Sequence, residues 1–203
     1  MASEGGEKHA VVRDQVLVRS SKVNLVLVLL RSLAFFATLS ATLVMALNKQ
    51  KKTIVVATIG TVPIQATLTA KFQHTPAFVF FVIANGNASF HNLLMLVVGF
   101  MGPKCDFKGL APLAIVLLDL MNVVLVSGGA SAAAFMGQLG RDGNSHARWN
   151  KICDKFGSYC DRGGGAMIAS FVGLMVMMII CSVSIVRLRN HNNKLVLNSS
   201  VVP

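Results

Sequence analysis

Apolar positions in this chain fall into four long blocks instead of alternating with polar ones. The blocks are Val23–Leu47, Pro76–Phe100, Leu110–Ala134 and about Gly164–Val186. At about 1.5 Å per residue, each is long enough to cross a hydrocarbon core of about 30 Å as a helix. Four helices buried in a soluble bundle would each show a charged stripe. These blocks carry one Arg, one Asp and one His among them. The pattern predicts an all-α integral membrane protein, a four-transmembrane-helix bundle over residues 23–187. Polar tails, expected to be mobile, flank it at 1–22 and 188–203. A cleaved signal peptide would have a shorter leader and a shorter apolar stretch than block one. Glu4, Glu7 and Asp14 in the leader argue against an organellar transit peptide, which is poor in acid.

The connections differ in character. Residues 48–75 are rich in β-branched side chains. "TIVVATIG" and "VPIQATLTAKF" read as two short strands around a Gly60–Pro63 turn, a small hairpin outside the membrane. The middle connection, "MGPKCDFKG", is too short to form a domain. No internal repeat is present.

Composition agrees with the pattern. Of 203 residues 54% are hydrophobic and only 13% charged, where soluble domains average about a quarter charged. The formal net charge is +11, but it is shared between both faces. Nine of the 19 cations lie in the tails and middle loop, nine in the two larger loops, and Arg31 is the last. The positive-inside rule therefore ties. No basic helix or stacking motif accompanies the charge, so nucleic acid is not an expected partner.

Cysteine position is more informative. Cys153 and Cys160 share the third-to-fourth loop, Cys181 lies inside block four, and Cys105 lies in the opposite loop. The one pair placed to close, Cys153–Cys160, needs an oxidising compartment. That puts this loop outside and both termini in the cytosol. Two free thiols, or half of a zinc site, is the alternative. The nearby His146 and Asp154 complete no known zinc spacing.

Within the spans, Arg31 and Asp119 stand out. Blocks one and three run in the same direction, and these residues lie about 12 and 13.5 Å from the same face. A lone mid-membrane charge costs about 2.5–3.5 kcal/mol, so pairing at matched depth is favoured. A structural ion pair is the expected role, with a proton or ion pathway as the alternative. Block two carries Asn85, Asn87, Ser89, His91 and Asn92, expected as interhelical hydrogen-bond partners. His91 is also a candidate relay. Asn87 and Asn198 match glycosylation sequons, one inside a span and one on a tail placed in the cytosol.

Small residues at four-residue spacing, where helices in lipid approach closely, are candidates for packing. They are Gly165, Ala169 and Gly173 in block four, Gly128 and Gly129 with Ala132 and Ala133 in block three, and Ala34, Ala37 and Ala41 in block one. They serve either packing within one bundle or contact between protomers. His9, His74, His146 and His191 have no companion residues and read as solvated. No HExxH, GxxxxGK[ST] or GxSxG motif appears, so neither catalysis nor a cofactor is expected.

Three stretches carry a resemblance. "FVFFVIANGNASFHNLL" is similar to the second span of the plant Casparian strip membrane proteins and their CASP-like relatives. "LLDLMNVVLVSGGASAAAFMGQLGRDGNSHARWNKICDKFGSYC" resembles their third span and second external loop, and "GAMIASFVG" the start of their fourth. The first external loop lacks the Phe-rich stretch of true Casparian strip members, and the branch most similar is group 1 of the CASP-like proteins. The architecture more distantly resembles MARVEL-type four-span proteins.

The resemblance implies that Arg31 and Asp119 are the family's membrane Arg and Asp. It further implies that Cys153 and Cys160 are its external cysteines, and Trp149 and Phe156 its loop aromatics. It also implies cytosolic termini, a plasma-membrane location, and homodimers or hetero-oligomers with related four-span proteins. A scaffold for a membrane domain would follow, with cell-wall-modifying enzymes among its partners.

Overall fold

The computed structural model describes the backbone of residues 4–59, 61–101 and 110–200. Side chains are described from residue 23 onward, apart from 56, 57, 59, 62, 191, 192 and 194–200 within those ranges. The middle loop with Cys105, and residue 60 of the expected hairpin turn, lie outside the description.

Four long helices form the body: α1 Glu4–Ala46, α2 Pro76–Phe100, α3 Ala111–Asp142 and α4 Gly157–Ser200. All four contain stretches long and apolar enough to span a membrane: Val23–Ala46, Pro76–Phe100, Ala111–Asp142 and Gly157–Asn190. The chain is a four-span all-α membrane protein, as the hydropathy blocks predict.

Helix ends explain where the blocks fall short. Pro76 opens α2 in its first turn, where a missing N–H costs nothing. α3 runs past the predicted end at 134 to Asp142, because "FMGQLGRD" is helix-compatible although no longer apolar. It stops at Gly143, whose φ of 70° suits glycine. A Cβ there would lie 2.8 Å from the Trp149 carbonyl oxygen. α4 likewise starts at Gly157, ahead of the apolar block at 164, because its first turns, "GSYCDR", are helical although polar. α1 and α4 also run on through the segments expected as mobile tails. No proline interrupts them there, and a nucleated helix propagates at little cost.

Helices packed side by side are α1–α2, α2–α3, α3–α4 and α4–α1, so α1 and α3 face each other across the diagonal. Residues paired across α2 and α3 run in opposite order: Phe81 and Ala84 meet Gly129, Asn87 meets Asn122, and His91 meets Asp119. Neighbours are therefore antiparallel. The interior is built from small and polar side chains. Ala34, Thr38, Ala41, Ala88, Ala130 and Ala133 are fully buried, while Phe36, Phe90 and Ile168 are 64–68% exposed. Large apolar groups outward and small ones inward is the arrangement lipid favours, since lipid tails solvate Leu and Phe as well as a core does.

Two antiparallel strands, β1 Lys49–Ile59 and β2 Val62–Lys71, form the predicted hairpin. The ladder runs from Lys49 opposite Lys71 to Ile59 opposite Val62, with an irregularity between Val55 and Ala57. β1 starts almost directly after α1, so the ribbon rises from the bundle end. A 3-10 turn, Phe72–His74, returns the chain to α2.

Candidate functional site: a charge lock across four helices

Asp119 sits at the centre of a buried polar cluster to which every helix contributes. Arg31 of α1 donates through Nη1 to Oδ1 at 3.1 Å and through Nη2 to Oδ2 at 2.8 Å. This bidentate fork is the geometry that guanidinium and carboxylate share. His91 of α2 lies 2.8 Å from Oδ1 through Nε2. A carboxylate can only accept, so Nε2 carries the hydrogen. Ser184 of α4 donates to Oδ2 at 3.2 Å. Each oxygen thus accepts two hydrogen bonds, which fills the carboxylate. All four side chains are buried. A low dielectric strengthens such a network and makes any broken member costly.

Asparagines on α2 make separate polar contacts along the bundle axis. Asn87 donates to Asn122 Oδ1 of α3 at 3.2 Å, and Asn85 Oδ1 accepts from Ser170 of α4 at 2.8 Å. Asn92 donates to the Ala88 carbonyl and contacts Met177 Sδ. Two apolar clusters lie on the hairpin side of Asp119, one with Val126, Leu174 and Ile180, and further along the other with Met45, Phe81 and Ala166.

The small residues divide. A Cβ on Gly129 would stand 3.1 Å from Ala84 Cβ and 3.3 Å from Phe81 Cα, so α2 and α3 approach closely there. Gly173 meets Thr38 of α1 at 3.0 Å and Gly128 meets the Phe80 ring at 3.6 Å. Ala169 packs beside the Phe81 cluster. Gly165 differs: nothing lies within 4 Å of a Cβ built on it, so it packs against no helix of this chain. It faces a cleft at the hairpin end.

At that end Cys153 and Cys160 form a disulfide, with Cα atoms 5.7 Å apart. Of the two loop aromatics, Trp149 is half exposed and Phe156 turns inward and is buried. Tyr159 stacks edge-on against Phe78, with ring centroids 6.4 Å apart. Asn48, at the α1–β1 joint, donates to the Tyr159 carbonyl at 2.7 Å, and Gln50 accepts from the Tyr159 N–H at 2.9 Å. These bonds tie the start of the hairpin to the start of α4. Cys181 is a buried free thiol. Among the described residues no three His, Cys, Asp or Glu gather as metal ligands. His74 lies beside the same cleft.

Sequence reasoning placed Arg31 with Asp119 and expected His91 as an interhelical hydrogen-bond partner without assigning it to Asp119, and it did not single out Ser184. The signal for His91 was available. It lies nine residues before the end of block two, about 13.5 Å deep, matching Asp119. Ser184 gave no such signal, because the apolar block ends at 186 while the spanning helix continues to Asn190.

Small and polar side chains inward, large apolar ones outward and a charge pair at the centre define a multi-pass membrane protein. Residues 20–176 match the Casparian strip membrane protein domain, and the chain belongs to that family. It is 60% identical over 188 residues to CASP-like protein 1B2 of Populus trichocarpa, covering 93% of this chain and 94% of that one. CASP-like protein 1B1 of the same species is 65% identical over 163 residues, 80% and 84% of the two chains. CASP-like protein 1B2 of Vitis vinifera is 53% identical over 206 residues, the whole of both chains. These relatives put it in the group 1 branch of CASP-like proteins. No solved structure matches it.

Proposed function

We propose that this chain is a non-enzymatic plasma-membrane scaffold that assembles with copies of itself or related four-span proteins. Such an assembly would organise a membrane domain and position cell-wall-modifying enzymes. One observation carries this reading: the ionisable groups at mid-membrane are spent on one another. Asp119 is held by Arg31, His91 and Ser184 together, and so ties all four helices. A carrier or channel that used Arg31 and Asp119 would need to release that pair in each cycle. A rigid platform needs it closed.

The test is reconstitution of the purified chain in liposomes with chemical cross-linking in parallel. Cross-linked dimers or larger species, without ion conductance, are expected. Conductance abolished by neutralising Arg31 and Asp119 together would establish the transport reading instead.

Both termini are placed in the cytosol, with the hairpin and the disulfide loop outside. The support is the even helix number and the Cys153–Cys160 bridge, which an oxidising compartment maintains. Intact cells should show no labelling of these cysteines by a membrane-impermeant maleimide until an external reductant is added. Unreduced digests should contain the linked peptide. The closed ring is short, so loss of the bridge should cost only about 2 kcal/mol. No labelling even after reduction, or glycosylation at Asn198, would overturn the orientation, and labelling without reductant would overturn the bridge.

A further inference from the structure

The cleft at the hairpin end is bounded by α1, β2, α2, α3, α4 and the disulfide loop, and has a volume of about 1360 Å³. Ordinary small-molecule pockets hold about 300–1,000 Å³, so there is room for a lipid-sized guest. Its lining is mainly apolar. Met45, Met136 and Met167 line it, and unbranched thioethers repack readily around a guest. Gly164 and Gly165 line the α4 side, and nothing of this chain lies within 4 Å of a Cβ on either. Ile168 on the spanning part of α4 and Trp149 on the loop also border it, and both are exposed. The cleft therefore runs from the apolar part of α4 to the loop beyond it.

An independent observation lies in the cleft wall. Among the described residues, Asn48 Oδ1 is the one buried side-chain polar atom without a hydrogen-bond partner. Asn48 is 2% exposed and lines the cleft. Its amide nitrogen is committed to the Tyr159 carbonyl, which fixes the amide and leaves the oxygen over. A buried acceptor left open is costly, and a ligand that donates a hydrogen to it removes that cost. Met45, one turn before Asn48, lines the same cleft. Charge is balanced around the cleft: Lys71 and Arg141 against Asp142 and Asp161.

We propose that this cleft binds a neutral membrane amphiphile whose hydroxyl donates to Asn48 Oδ1 while its apolar body lies along Gly164, Gly165 and Met167. The shared chemistry is a hydroxyl at the polar end of a long apolar body, as in a sterol or a ceramide. This inference does not depend on the scaffold reading, because it concerns only the local geometry of one bundle end.

The experiment uses the full chain in nanodiscs with three photoactivatable probes: a sterol, a ceramide and a phosphatidylcholine. One of the hydroxyl-bearing probes should label peptides containing Met136 or Met167 above the phosphatidylcholine background, and which one does so identifies the source. The free alcohol should compete at about tenfold lower concentration than its methyl ether, the factor expected for one hydrogen bond to a buried acceptor. Gly165→Leu extends a side chain from a position with open space around its Cβ along the cleft wall, so it should reduce labelling severalfold while leaving the melting temperature unchanged. Equal competition by alcohol and ether, labelling no stronger than phosphatidylcholine, or full labelling of G165L would each overturn the proposal.

Discussion

Asp119→Ala should destabilise the folded protein by about 3–5 kcal/mol, the cost of removing one partner from a buried ion pair. It strands the Arg31 guanidinium in the bundle and leaves the His91 and Ser184 donors without their acceptor. Arg31→Ala should cost less than Asp119→Ala, because Asp119 retains two of its four hydrogen bonds. Thermal unfolding in detergent and surface yield in cells measure both. Replacing the pair by apolar residues of similar volume should be milder than either single change, since no charge is then stranded. Adding His91→Leu to that double replacement should recover more, because the imidazole then no longer needs a partner.

The charge swap, Arg31→Asp with Asp119→Arg, is a sharper case. Matched depth alone would predict good recovery. The cluster predicts poor recovery, because an arginine at 119 would meet the Nε2–H of His91, a donor facing a donor. His91 would have to change tautomer or turn away. The swap should therefore improve markedly when His91→Gln supplies a carbonyl oxygen in its place. If the double-neutral protein loses as much as the two singles summed, the residues are not coupled and the lock is wrong.

How much of this was legible beforehand depends on how far each feature reaches along the chain. Spanning helices follow from local hydropathy, so all four were readable. Their ends were less so, because "FMGQLGRD" and "GSYCDR" are helical although polar and add nothing to the apolar blocks. The hairpin was readable from β-branched residues around a turn, although β1 starts earlier, at Lys49, than those residues suggest. Arg31 and Asp119 could be matched by depth because a charge in a span is rare. Ser184 could not, since serines are common in spans and only the packing of α4 selects this one. Gly165 shows the limit of spacing rules. It shares the four-residue repeat of Ala169 and Gly173, but which glycine meets a neighbour depends on where the helices diverge. Asn48 was invisible because an orphan acceptor is a property of its surroundings.

Gly129→Leu should be nearly as damaging as loss of Asp119, and for a steric reason. The first carbon of any side chain at 129 stands 3.1 Å from Ala84 Cβ and 3.3 Å from Phe81 Cα. The second of these is backbone and cannot rotate away. Alanine there requires α2 and α3 to part by a few tenths of an ångström. Leucine requires far more, and overpacking of this kind costs about 1–3 kcal/mol or more. The strain would also be transmitted. Gly129 and Asp119 lie ten residues apart on α3, about 15 Å. Moving α2 away at one point should therefore lengthen the His91–Asp119 bond at the other. Gly129→Ala should lower the melting temperature modestly, and Ala84→Gly should restore part of that loss by removing the nearer contact. The remaining contact to Phe81 Cα should keep the rescue incomplete. Gly165→Leu is the control, the same substitution at a glycine with open space, and should leave folding unchanged. If Gly129→Leu and Gly165→Leu destabilise the protein equally, the close approach of α2 to α3 is not what glycine at 129 provides.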